Sequence, residues 1–192
     1  ERGDQDLKKE KSRAVELTLA HKTSAWDGQV STYVQDFENY IALSPTGSVD
    51  GGSGFDIYDY EADAARLYGM DSENKFKLNP NWNFIAKGDW VRGKNLKTGK
   101  NLPRLSPARV SMGLEWSKEN WILDTELQHA FEQQHINPNE TRTAHYDLLS
   151  LGAQRVFTVS QMTMTGFIRL KNIFDDRARN HVSTVKSIAP LP

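Results

Sequence analysis

Six side chains along this sequence stand out as candidate cation ligands. Asp50, Asp56 and Asp59 lie in the stretch Leu43–Ala64, beside Glu61 and Asp63 and interleaved with Gly51, Gly52, Gly54, Tyr58 and Tyr60. His135, His145 and His181 fall on or beside other long connections. Carboxylate and imidazole are the donors that suit zinc when thiolate is absent, and the chain has no cysteine. The spacing, however, matches no EF-hand or other ligand pattern. A solvated acidic loop and ordinary surface histidines explain the same residues. His21 falls near a short turn, and His129 lies within a strand, where it suits a girdle or pore as well as a ligand set. No nucleophile–base pair, phosphate-cradling loop or carboxylate dyad is present, and no serine sits in a nucleophile elbow. The chain does not read as an enzyme and requires no cofactor.

The elements that position these groups are strands. The 192 residues suffice for one ordinary domain. The 24 basic and 25 acidic residues leave a formal net charge of −1, which gives no reason to expect a nucleic-acid partner. Mean hydropathy is −0.65 and no apolar run approaches the roughly 20 residues of a membrane helix. Glu1–Lys11 is charged and polar throughout, unlike a signal peptide. These numbers fit a soluble β-rich domain, but also a membrane barrel, in which only alternate residues need be apolar.

In Ala108–Trp116, Ala108, Val110, Met112, Leu114 and Trp116 alternate with Arg109, Ser111, Gly113 and Glu115. A strand sends these two sets to opposite faces. Eight such segments are predicted, over about 12–21, 29–42, 65–78, 82–91, 108–116, 121–133, 145–157 and 161–172. The predicted links alternate in length. Residues 22–28, 79–81, 117–120 and 158–160 are short; 43–64, 92–107, 134–144 and 173 onward are long. Outer-membrane barrels have two unlike ends of this kind, and a sandwich has no reason to. Trp26, Trp82, Trp116 and Trp121 flank short links, while Tyr40, Trp90, Phe131 and Tyr146 stand near long ones. This suits two aromatic girdles. The charges of Asp71, Glu73, Lys87, Arg109, Glu115, Asp124 and Glu126 suit a wide, wet or plugged lumen better than a packed interior.

Four ordered segments resemble TonB-dependent outer-membrane receptors. Gly3–Leu19 (GDQDLKKEKSRAVELTL) resembles the opening of a late barrel strand, and Asn101–Trp116 (NLPRLSPARVSMGLEW) a Pro-bearing loop end leading into a strand. His145–Phe157 (HYDLLSLGAQRVF) resembles a Tyr-led strand, and Gly166–His181 (GFIRLKNIFDDRARNH) the Asn-Leu-Phe-Asp segment near the receptor C-terminus, with Ile173 in place of the usual Leu. Arg177–Pro192 (RARNHVSTVKSIAPLP) is most similar to the last loop of the ZnuD-like zinc-uptake branch, although that branch is known for His-rich loops and this chain has five His.

The resemblance implies an all-β, transmembrane antiparallel barrel, of which residues 1–192 would supply about eight consecutive strands out of about 22. These would be the fourteenth to the twenty-first, without the plug domain and the last strand. Glu1–Lys11 would be the tail of an extracellular loop. It implies residence in the bacterial outer membrane, contact with its lipid, and energy from the TonB–ExbB–ExbD complex acting through the plug. The cargo would be a scarce nutrient: zinc, with Asp50, Asp56, Asp59, His135, His145 and His181 as loop ligands, or alternatively haem or a ferric siderophore. From the residues alone, a small non-transporting outer-membrane barrel and a soluble β-sandwich binding module remain the rivals.

Overall fold

The computed structural model describes residues 7–186 apart from 139, 161 and 184. Part of the loop tail expected over Glu1–Lys11, and the stretch Ser187–Pro192, lie outside the described residues. Eight strands run β1 (Ser12–Lys22), β2 (Trp26–Val49), β3 (Asp56–Lys77), β4 (Trp82–Asn95), β5 (Arg109–Lys118), β6 (Trp121–Ala130), β7 (Tyr146–Val159) and β8 (Met162–Leu170). They form one antiparallel sheet in sequence order, each strand bonded to its chain neighbours. No second sheet covers either face among the described residues, so the sandwich is excluded.

The pairing registers carry each side chain's face from strand to strand. One row runs Trp26, Phe76, Phe84, Leu114, Thr125, Leu151, Leu170. Another, six residues further along β2, runs Leu17, Thr32, Met70, Trp90. Val15, Leu19, Val30, Val34, Met112, Leu127 and Ile168 share this face, and all of them are exposed. Aligned apolar side chains that stay uncovered over eight strands need an apolar solvent, which is the lipid-facing side of a barrel wall. Trp26, Trp82, Trp116 and Trp121 lie on it near the short turns, and Trp26 stacks on Phe76 at 5.8 Å.

The opposite face is polar and paired. Arg109 Nε donates to Asp89 Oδ1 at 3.0 Å and its Nη2 donates to Oδ2 at 3.1 Å. Lys75 and Asn83 both donate to Glu115, Arg169 pairs with Asp124 at 3.2 Å, and Lys87 lies between Glu73 and Glu126. These residues belong to the parity opposite Leu114, as the alternation predicts for a lumen.

Short turns are closed by side chains. Thr23 Oγ1 accepts the Trp26 amide at 3.0 Å, and Asn79 Oδ1 accepts the Trp82 amide at 3.1 Å. Such caps replace the ladder bonds that the turn removes.

Two expectations need correction. The long loop expected over Leu43–Ala64 is mostly strand: the β2–β3 hairpin continues to Val49↔Asp56 and only residues 50–55 turn. About 9–11 residues span a bilayer as a tilted strand, and β5 and β6 have 10 each. The hairpin therefore projects well beyond the membrane. Both faces are wet there, so apolar alternation fades while backbone pairing persists. The girdle expected from Tyr40 and Tyr146 is also wrong. A bulge between Phe37 and Tyr40 inserts one residue and sets Tyr40 on the same lumen side as Phe37. Tyr146 is buried on that side against Ala130 and Ala178.

Candidate functional site

The sites lie at the end opposite the short turns, where three connections gather around the hairpin. The β4–β5 loop folds back over the lumen face of β4. The Leu102 amide donates to Gly93 O at 3.0 Å, and a side chain at Gly93 would collide with Leu102 and Leu105. Between this loop and the hairpin lies a cavity of about 150 Å³, lined by Tyr40, Glu61, Asp63, Asn95, Lys100 and Asn101 among others. Asp63 accepts from Asn95 Nδ2 at 3.0 Å and from Lys97 Nζ at 2.9 Å. The Lys97 bond, then the Asn95 bond, hold its carboxyl below the ordinary range.

At the hairpin tip Asp50 closes the turn. Its Oδ2 accepts the Ser53 hydroxyl at 2.7 Å and the Ser53 amide at 2.8 Å, and these bonds keep it ionised below the usual range. Gly54, at φ 71°, supplies the left-handed position. Asp56 faces Val49 in the ladder and is exposed. Asp59 is half-buried, and its Oδ1 lacks a hydrogen-bond partner.

The histidines go to three different environments. His135 is largely exposed in the β6–β7 loop; partial desolvation first, then the charges of Arg92 and Lys94, hold it below its ordinary pKa. His145 is exposed, its ring 5.9 Å from that of His129, whose Nδ1 lies 2.8 Å from Asp147 Oδ1. His181 is only 2% exposed. Its Nδ1 lies 2.8 Å from Thr143 Oγ1 and 3.3 Å from Lys186 Nζ, and its Nε2 lies 3.8 Å from Glu140. The six residues singled out from the sequence thus do not converge. Among the described residues no group of three or more His, Asp or Glu is arranged to hold a metal.

What the structure does assemble is a polar knot that the sequence did not announce. Glu140 accepts the amides of Arg104 and Asn137 at 2.8 and 3.0 Å. Gln133, nearly fully buried, donates to Leu105 O at 2.7 Å and accepts the His135 amide at 3.1 Å. Between the same two loops Asn101 Nδ2 donates to Ile136 O and Asn137 Nδ2 donates to Asn101 O, both at 3.2 Å, and Lys186 Nζ donates to Thr141 O at 2.7 Å. The β4–β5 loop, the β6–β7 loop and the segment after β8 are thereby held as one body. No local spacing marks these partners, because they come from three separate loops.

One sheet with a continuous lipid-facing surface, an ion-paired inner surface and interlocked loops at one end defines the wall of a large membrane β-barrel. The family model described as TonB dependent receptor-like, beta-barrel, matches residues 1–169, and the chain belongs to that family. Its members are outer-membrane proteins of Gram-negative bacteria, and the family is one of receptors and transporters. Among solved structures the chain is similar to the copper transporter OprC, with TM-score 0.79 and 19% identity over 92% of this chain. It is also similar to the ferric enterobactin receptor PfeA of Pseudomonas aeruginosa, with TM-score 0.68 and 20% identity over 94%. A third likeness is FpvA of P. aeruginosa bound to pyoverdines, with TM-score 0.56 and 14% identity over 86%. At these identities the likeness is one of fold. The chain spans 27%, 28% and 23% of those chains respectively.

Proposed function

We propose that residues 1–192 are the C-terminal barrel portion of a TonB-dependent receptor that imports a scarce nutrient, and that the cargo is a transition-metal cation, zinc first. The observation that carries the receptor reading is the continuity of the two faces through all eight strands. A barrel of eight strands fills its interior with side chains, yet the inner face here carries rows of exposed or half-exposed ion pairs. Such a barrel would also have to pair β1 with β8, which are the two sheet edges among the described residues. Lipid does not tolerate open edges, so further strands, to about 22 in all, would close this wall around a plug on which the TonB–ExbB–ExbD complex pulls.

Two things support a cation. Residues 43–64 carry five carboxylates and no Lys or Arg, which repels anions and concentrates cations. The stretch 177–192 resembles the zinc-uptake branch. Asp56, Asp59, His135 and His145 are the proposed loop donors for transient capture. Asp50 and His181 are engaged in the turn and the knot, and would join only on rearrangement. Donors from the rest of the receptor would complete the set. A haem receptor would need an axial His or Tyr in an apolar slot; a ferric-siderophore receptor would need basic loops to meet an anion, which residues 92–107, with Arg92, Lys94, Lys97, Lys100 and Arg104 and no Asp or Glu, would supply.

The test is metal binding and uptake by the full-length receptor in cells starved of each nutrient. Zinc uptake should fall at least tenfold in a variant carrying D56N, D59N, H135A and H145A. Uptake unchanged in that variant removes these residues from the mechanism. Preference for haem, a ferric chelate or copper over zinc overturns the cargo and leaves the barrel reading standing.

A further inference from the structure

The lipid-facing surface carries two cations at the level of the tryptophan girdle. Lys118, Trp121 and Arg155 stand in one register row across β5, β6 and β7. Neighbouring strands lie about 4.8 Å apart, so the two cations flank the indole from either side. The Arg155 guanidinium lies over the Trp121 ring, 5.0 Å from its centre. Both cations are exposed, and neither is ion-paired among the described residues. The carboxylate nearest in sequence, Glu119, belongs to the β5–β6 turn. Beyond Arg155 in the same row is Gly166, which leaves that side open.

Directly inward of this row the outer face opens into an apolar groove of about 540 Å³, lined by Trp82, Leu114, Trp116, Leu123, Thr125 and Leu151 among others. Leu123 is two residues inward of Trp121 and Leu151 four residues inward of Arg155. The groove therefore begins about 7 Å below the cations along the strand. A cationic pair above an apolar trough matches an amphiphile with an anionic head and a hydrocarbon tail. The row stands at the short-turn end, which in these barrels is the periplasmic one, where the leaflet is phospholipid.

We propose that Lys118 and Arg155 bind the phosphate of one periplasmic-leaflet phospholipid, with an acyl chain lying in the Trp82–Trp116–Leu123 groove. This inference rests on the barrel fold and is independent of the cargo. The full-length receptor, delipidated and then offered phosphatidylglycerol in mixed micelles, is read by native mass spectrometry, with heat-modifiable gel migration reporting folding. The wild type should retain one phospholipid. K118Q/R155Q should lower that occupancy at least fivefold, and K118R/R155K should preserve it. T125W, which fills the groove and leaves both cations, should lower it to a similar extent. Equal occupancy in K118Q/R155Q and wild type, retention by T125W, absence of retained phospholipid in the wild type, or lipopolysaccharide in its place would each overturn the proposal.

Discussion

The imidazole Nδ1 of His181 lies 2.8 Å from the hydroxyl of Thr143, which ties the segment after β8 to the β6–β7 loop. Lys186 Nζ reaches the same nitrogen at 3.3 Å, and Glu140 lies beside Nε2. Burial first, then the Lys186 charge, hold His181 below its ordinary 6.5, with Glu140 acting the other way. The undocked loop consequently takes up a proton before the docked one. Docking is then fully favoured above pH about 6.5 and is lost as pH falls through that value toward the lowered one. Hydrogen exchange of residues 131–138 and 171–183, corrected for intrinsic rates, should accelerate between pH 7.5 and 5.5. H181Q, which keeps an acceptor without titrating in this range, should flatten that change. Equal protection at both pH values would dissociate His181 from loop docking.

Leu114 faces lipid near the middle of β5. L114R should cost about 2–4 kcal/mol, because a cation near the midplane of a barrel's outer face must be drawn toward the interface. Unfolding of the vesicle-inserted full-length receptor in urea reads this directly. A change below about 0.5 kcal/mol would place Leu114 at the interface.

The Asp89–Arg109 pair on the inner face is bidentate but about 40% exposed on each side. Solvent screening limits its worth to about 0.5–1 kcal/mol. D89N should lose about that much, and the reversal D89R/R109D should recover most of it. A loss several times larger in D89N would mean the lumen there is drier than the exposure indicates.

Tyr33 pairs with Gly69 across β2 and β3, and its ring occupies the space a Cβ would need. A Cβ at Gly69 would fall 2.6 Å from Trp90 O and from the Tyr33 hydroxyl. Backbone cannot yield as a flexible side chain can, so G69A should cost about 1–3 kcal/mol. Y33A/G69A should recover part of this. An additive double mutant, with no recovery, would assign the cost to Trp90 O alone.

The strands, their faces and the short-turn girdle were legible because each rests on a local period. Val110, Met112 and Leu114 share a parity whatever the rest of the chain does, and the period of two says which side chains face together. The family resemblance in Asn101–Trp116 and Gly166–His181 sits on the same local patterns. The charged inner face was readable for that reason, although which charge meets which was not: Lys75 reaches Glu115 two strands away.

What the sequence determined by itself was the alternation, one apolar and one polar face along each strand, which a sandwich would share. The tertiary structure decided the rest. One inserted residue between Phe37 and Tyr40 changed which face Tyr40 occupies. Solvation on both sides let the β2–β3 hairpin run to Val49↔Asp56 without an apolar signature. Register and loop folding sent His135, His145 and His181 to three places and brought Glu140, Thr143 and Lys186 to one. A period of two fixes the face of a side chain in a regular strand, but contacts between loops depend on how distant backbones are staggered, and no local spacing encodes that.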